Sequence, residues 1–231
     1  FIGDSCSFGV NPQEAFDRSG VTAVAREEKV DLINLDEGQP VPFPVSDPFA
    51  VDQFKVSSYA AEADRIVSVP VMKTHMHAIA TLSLKNMKGC LHQREKMRLH
   101  HLREEDRFSS WHGYKNLDRA VADLSSVLYA DLTVIDGVVA MEGLGPGLGE
   151  PKPLGLVLCG EDPIAADIAA LGGRPLCVGV VLDHGPANAQ LLDGARDVLR
   201  VLLELELRRV YPDDLEAGVM VGLVPLLKER D

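Results

Sequence analysis

Two periods of apolar residues alternate along the chain. Asn11-Pro12 predicts a helix running to about Glu28, with Asn as its cap and Pro in its first turn. Val30 to Leu35 (VDLINL) predicts a short strand. Gln39 to Pro48 carries prolines at 40, 42, 44 and 48 and predicts a loop or an edge-strand extension. Tyr59 to Asp64 predicts a helix end, and Arg65 to Met72 (RIVSVPVM) a buried β-branched strand. Leu117, Ala120, Val121, Leu124, Val127 and Leu128 recur at helical spacing. Residues 132–140 (LTVIDGVVA) predict a second buried strand. Gly143 to Gly149 predicts a flexible loop able to act as a lid, and Leu154 to Cys159 a third strand. Asp162-Pro163 opens a helix through about Leu171.

This rhythm predicts an α/β fold with a largely parallel central sheet flanked by helices. Residues 1–171 form the expected domain, with a basic, histidine-rich insertion at 73–116 after a central strand. Residues 172–231 form a segment packing on the same domain. It comprises a Gly- and Pro-rich stretch with a strand at 172–185, an amphipathic helix at 191–209, and an apolar stretch at 218–227 without clear period.

Composition narrows the classes. The 231 residues are 46% hydrophobic and 25% charged, which excludes a disordered chain. The net charge of −12 argues against a nucleic-acid-coating role. No apolar run reaches the ~20 residues of a membrane helix. Cys6, Cys90, Cys159 and Cys177 form no CxxC pair, so no iron–sulfur or zinc-ribbon motif is present. Scattered thiols and the absence of an opening signal segment predict a reducing, cytoplasmic setting. The start at Phe1-Ile2-Gly3-Asp4 lacks Met and reads as a strand entering a loop, so a natural start is expected elsewhere.

Charge is unevenly spread. Between Lys73 and Arg119 lie ten Lys or Arg, five acids and six of the seven histidines. A solvated insertion with chance histidines explains this at one extreme. The other extreme is a site. Lys73 and His75 follow the predicted Arg65–Met72 strand, where open α/β sheets bind ligands. Lys73, Lys85 and Lys88 offer positive charge to a small anion. Thr81, Ser83 and Asn86 offer orienting hydroxyl and amide groups. His75 titrates near neutrality and is the expected proton-transfer group. Glu142, entering the glycine-rich loop, is the expected opposing carboxylate. His75, His77 and His101 with Asp136 admit a divalent metal, although the spacing matches no standard metal motif.

The strings VPVMKTHMHAIATLSLKNMKGCLH (69–92), HH (100–101), LDRAVADL (117–124), VIDGVVAMEGLGPGLGEP (134–151) and GEDPIAADIAA (160–170) stand in a specific order. Together with GDS at 3–5 they resemble the domain-of-unknown-function family 362 over about residues 1–171. The resemblance implies an α/β fold and an iron–sulfur or redox association, since members are often joined to ferredoxin-like modules. The cluster ligands of those modules are absent here. The matching polar residues are Lys73, Thr74, His75, Thr81, Ser83, Lys85, Asn86, Lys88, His101, Asp136, Glu142, Asp162 and Asp167.

Two functions follow as expectations. One is the binding or transformation of a small anionic substrate, metal-dependent or redox-linked. The other is a non-enzymatic docking module whose basic island meets a ferredoxin-like partner or a cofactor-assembly complex. Convergence of Lys73, His75, Lys85 and Glu142 in a pocket favours the first; a splayed, convex arrangement favours the second.

Overall fold

The computed structural model describes residues 1–6, 9–102, 115–172, 179–182 and 219–223. The helix expected at 191–209 lies outside them, as does most of 172–185.

The N-terminal unit is β1 (Ile2–Asp4), α1 (Pro12–Ser19), α2 (Val21–Glu28) and β2 (Leu32–Asn34), with β1 and β2 paired in parallel. The single helix expected over 11–28 is two. Gly20 sits at φ 81, ends α1 by donating its N–H to the Asp17 carbonyl, and caps α2. Glycine adopts this left-handed conformation without Cβ strain. The Asn11 side chain caps α1 as expected, accepting from the Glu14 N–H at 3.1 Å.

The proline-rich stretch forms β3 (Pro40–Pro44), paired antiparallel with β4 (Gln53–Ser57) in a separate two-stranded ribbon. After α3 (Ser58–Ala61), the strand expected over 65–72 divides into β5 (Arg65–Val69) and β6 (Val71–His75). Pro70 between them has no N–H to give the ladder. The basic segment continues through β7 (Ile79–Thr81), the one-turn helix α4 (Ser83–Asn86), a 3-10 turn at Met87–Cys90, and α5 (Glu95–His100). Then come α6 (Lys115–Val127), β8 (Leu132–Leu144), β9 (Leu148–Gly160), α7 (Pro163–Ala170), β10 (Gly179–Leu182) and β11 (Val219–Leu223).

Among the described residues nine strands share one sheet, ordered β10-β9-β8-β5-β11-β1-β2, with β6 and β7 branching from β8. Strands β8, β5, β11, β1 and β2 run parallel, as do β6 and β8. The pairs β8/β9, β9/β10 and β6/β7 are antiparallel. The sheet is therefore mixed, with five parallel and three antiparallel pairings among its described strands. Only three residues separate β8 from β9, and so short a connection joins antiparallel strands. The glycine-rich stretch expected as a free lid is the tip of this hairpin. It is bound to β6: the Met76 N–H donates to the Gly145 carbonyl at 3.0 Å, and the Thr74 hydroxyl to the Gly143 carbonyl at 3.0 Å. A Cβ on Gly145 would run into the Thr74 carbonyl oxygen.

The largest core cluster joins the ribbon, α5 and α6. Leu117, Ala120 and Leu124 line one face of α6 and pack with Phe54, Val56, Leu91 and Leu99, all essentially solvent-free. Met87 and Cys90 belong to the same cluster. The described part of 73–116 is thus built into the core rather than added to it as an insertion. The buried Asp123 carboxylate fastens α6 to the ribbon, accepting the backbone N–H groups of Phe49, Ala50 and Val51 at 2.8 Å each. Cys6, Cys90 and Cys159 are free thiols. No helix among the described residues is long and apolar enough to cross a membrane.

This topology sets the position of a site. From β1 the chain leaves toward β2, and from β5 it leaves toward β8, on opposite sides of β11. Such a reversal opens a crevice at the carboxyl ends of the strands. Asp4 ends β1, and β6 carries the chain beyond the end of β5.

Candidate anion-binding site

On β6 the period of two puts Lys73 and His75 on one face. The pairing with β7 sets Lys73 opposite Thr81, and Lys85 of α4 donates its Nζ to the Thr81 hydroxyl at 3.2 Å. Helix α4 is only one turn long and is held from outside. Asp167 of α7 accepts the Ser83 and Leu84 N–H groups at 2.7 and 3.1 Å, and the Ser83 and Thr133 hydroxyls share a 2.5 Å hydrogen bond. The 3-10 turn that follows buries Lys88, 7% exposed, with its Nζ 2.6 Å from His100 Nε2. On α5, Lys96 and His100 stand four apart and share a face.

Three imidazoles adjoin these lysines. The ring centroids of His75, His77 and His100 are 5.6 to 5.7 Å apart pairwise. His75 Nδ1 accepts the backbone N–H groups of His77 and Ala78 at 3.0 and 3.2 Å. Its proton therefore resides on Nε2. A lysine donates, so His100 Nε2 is an acceptor, and the His100 Nδ1–H faces His77 Nδ1 at 3.4 Å. The hydrogen-bonded order is Lys88, His100, His77.

The electrostatics are those of crowded cations. Burial pushes the Lys88 amine down to about 7, and the charges of Lys85 and Lys96 act in the same direction. Burial and then Lys73 bring Lys85 to about 8, with Asp118 opposing. Burial lowers Lys73, and Asp4 opposes it. Burial and the lysine charges hold His75 at about 3 and His100 at about 4. All of these shifts disfavour positive charge in the folded protein. Among the described residues, no carboxylate lies within ion-pair distance of Lys73, Lys85 or Lys88. Lys96 is paired with Asp36 at 2.8 Å.

Beside the cluster is a small cleft lined by Asp4, Ser68, Asn86, Gly89 and Cys90, among others. Asn86 donates to the Ser68 hydroxyl at 3.1 Å, and the Ser5 hydroxyl donates to the Gly89 carbonyl at 2.6 Å. Burial raises Asp4 to about 6, opposed by the Ser5 N–H and by the charges of Lys96 and Lys73. Asp4 is thus the carboxylate that Lys73 senses across the crevice.

The expected residues divide between these places. Lys73, His75, Lys85, Lys88 and Thr81 come together, and His77 joins them. Ser83 is consumed in anchoring α4, and Asn86 turns to the cleft. Glu142 does not face the lysines. Lys73 is in register with Met141, so alternation puts Glu142 on the other face of the ribbon, where it pairs with Lys152 at 3.2 Å. His101 is exposed at the end of α5, and His100 takes the inward position. Asp136 is buried and turns its carboxylate to the Val138 N–H at 2.9 Å. Among the described residues, no three His, Cys, Asp or Glu side chains converge as a metal-ligand set.

Sequence reasoning passed over Asp4, Lys96 and His100. The Gly3-Asp4-Ser5 text after a predicted strand and the four-residue spacing of Lys96 and His100 are the signals that mark them.

A family model described as a domain of unknown function, DUF362, matches residues 1–172. The chain belongs to the DUF362 family. Within this DUF362 chain the matched region holds all the lysines and histidines of the cluster. A thylakoid-associated protein of Synechocystis sp. is 24% identical over 167 residues, covering 72% of this chain and 48% of its own length. The DUF362 chain thus spans about half the length of that relative. No solved structure matches it.

Proposed function

We propose that this domain binds a small anion bearing a carboxylate or phosphate group among Lys73, Lys85 and Lys88. The observation that carries this reading is three inward-set lysines with no carboxylate in ion-pair reach among the described residues. An arriving anion offsets the repulsion that otherwise drives protons off these amines. Lys85 and Lys73 are the more accessible cations and take the charge; the His75 Nε2–H orients the ligand as a neutral donor. At about 3, His75 holds no proton on Nδ1 at neutral pH, so it suits that role better than acid–base work.

The convergence of these groups supports a small ligand over an acidic protein face, which would engage splayed, solvated lysines. Titration calorimetry with inorganic phosphate and with oxalate tests the reading. Wild-type protein is expected to bind one of them, and Lys85→Ala to bind it at least about tenfold more weakly, the effect of losing one charged contact. Undetectable binding of both anions, or unchanged affinity in Lys85→Ala, would overturn it.

A further inference from the structure

We infer that Lys88 is a nucleophile, its amine condensing with the carbonyl of a small carboxylate-bearing ketone or aldehyde, a 2-oxo acid in the simplest case, to form a Schiff base. This rests on the anion-site reading, which supplies the grip on the carboxylate.

The argument starts from division of labour among the lysines. Lys73 and Lys85 are part-exposed and suited to holding charge. Lys88 is 7% exposed, and a buried ammonium is the costliest of the three to maintain. The groups that act on it are the charges of Lys85 on α4 and Lys96 on α5, and the imidazole of His100 on α5. Lys96, paired with Asp36 at 2.8 Å, still acts on Lys88 as a like charge. Desolvation beside other cations is how a lysine amine becomes available as a nucleophile near neutral pH. The 2.6 Å contact with His100 Nε2, which accepts one amine N–H, fixes the orientation of the same nitrogen.

The step balances without a redox partner. The Lys88 Nζ lone pair attacks the carbonyl carbon, and the carbonyl π pair moves to oxygen. One proton on nitrogen passes through solvent to the oxygen, giving a carbinolamine, while His100 Nε2 accepts the remaining N–H. A second protonation expels that oxygen as water while the nitrogen pair forms the C=N bond. The immediate product is the protonated imine, which carries the positive charge that Lys88 held as an ammonium; loss of its N–H proton to solvent gives the neutral imine.

The test is reductive trapping of the full chain with pyruvate and sodium cyanoborohydride, read by peptide mass spectrometry, beside calorimetric binding of pyruvate and oxalate. One reduced adduct on the peptide carrying Lys88 is expected. Its rate should rise with a midpoint near pH 7, whereas an ordinary lysine requires about pH 10. Excess oxalate, which has no ketone, should block trapping in the wild-type protein, a result independent of any substitution. Lys88→Arg should lose the adduct, since a guanidinium does not condense with the carbonyl. Pyruvate binding without an adduct overturns the covalent inference and leaves the anion reading standing. Adducts spread over exposed lysines such as Lys29, Lys55 and Lys152, insensitive to oxalate, overturn it equally. Absence of binding by pyruvate and oxalate together removes both readings.

Discussion

Replacing Lys88 by Met should stabilise the ligand-free protein at neutral pH. The side chain lies in a 7% exposed position, and Met retains much of its apolar stem. The amine falls from 10.5 to about 7 in the folded protein. Each tenfold loss of proton affinity is worth about 1.4 kcal/mol, so the burial cost at pH 7 approaches 4 kcal/mol as an upper bound. Losing the contact with His100 returns about 1 kcal/mol. A net gain of roughly 1–3 kcal/mol remains, or several degrees in Tm at about 2–4 °C per kcal/mol for a chain of this size. Between pH 7 and 10.5 the unfolded lysine holds more protons than the folded one. Wild-type stability due to this group therefore rises with pH across that window, and the advantage of Met fades toward its upper end. Thermal unfolding of both proteins at pH 7 and pH 10.5, each checked for reversibility, measures this directly. The same change in Tm at both pH values would refute the reasoning, as would a loss of stability at pH 7 alone.

Three further substitutions probe the scaffold. Asp123→Ala strands three backbone N–H groups and should cost about 3 kcal/mol or more in denaturant unfolding. Gly145→Ala forces the hairpin tip away from Thr74; a loss of about 1–3 kcal/mol and faster exchange of the Met76 amide proton are expected. Asp167→Asn leaves one acceptor oxygen for two N–H groups at the start of α4, so oxalate affinity should fall about threefold to tenfold, measured by calorimetry.

The parts of the fold written in side-chain period were legible. The α6 stripe, the α7 cap and the β5 and β8 runs each stand close to where their patterns put them. The orientation of β9 was not, because the same apolar run serves a parallel or an antiparallel strand. The stretch at 218–227 lacks alternation, yet it contributes β11, which has neighbours on both sides; strands so placed read as continuous apolar runs. At the site, residue type announced the lysines, but direction was hidden. His100 and His101 are equivalent as text, and helical geometry alone turns one inward. Glu142 stands one residue past the register partner of Lys73, which is enough to put it on the opposite face. Asp4 lay far from the basic segment in sequence, and only the sheet order brings the two near each other.

Strand β11 reaches the centre of the sheet from far along the chain, between β1 and β5, which were made long before it. On a ribosome, the two sides of the crevice emerge early and wait with unpaired edges. Non-local closure of this kind is slow and leaves strand edges open to wrong partners. The cationic cluster is therefore assembled upon a floor whose middle board is laid last, and premature termination upstream of Val219 would leave its chemistry encoded but its foundation in two pieces.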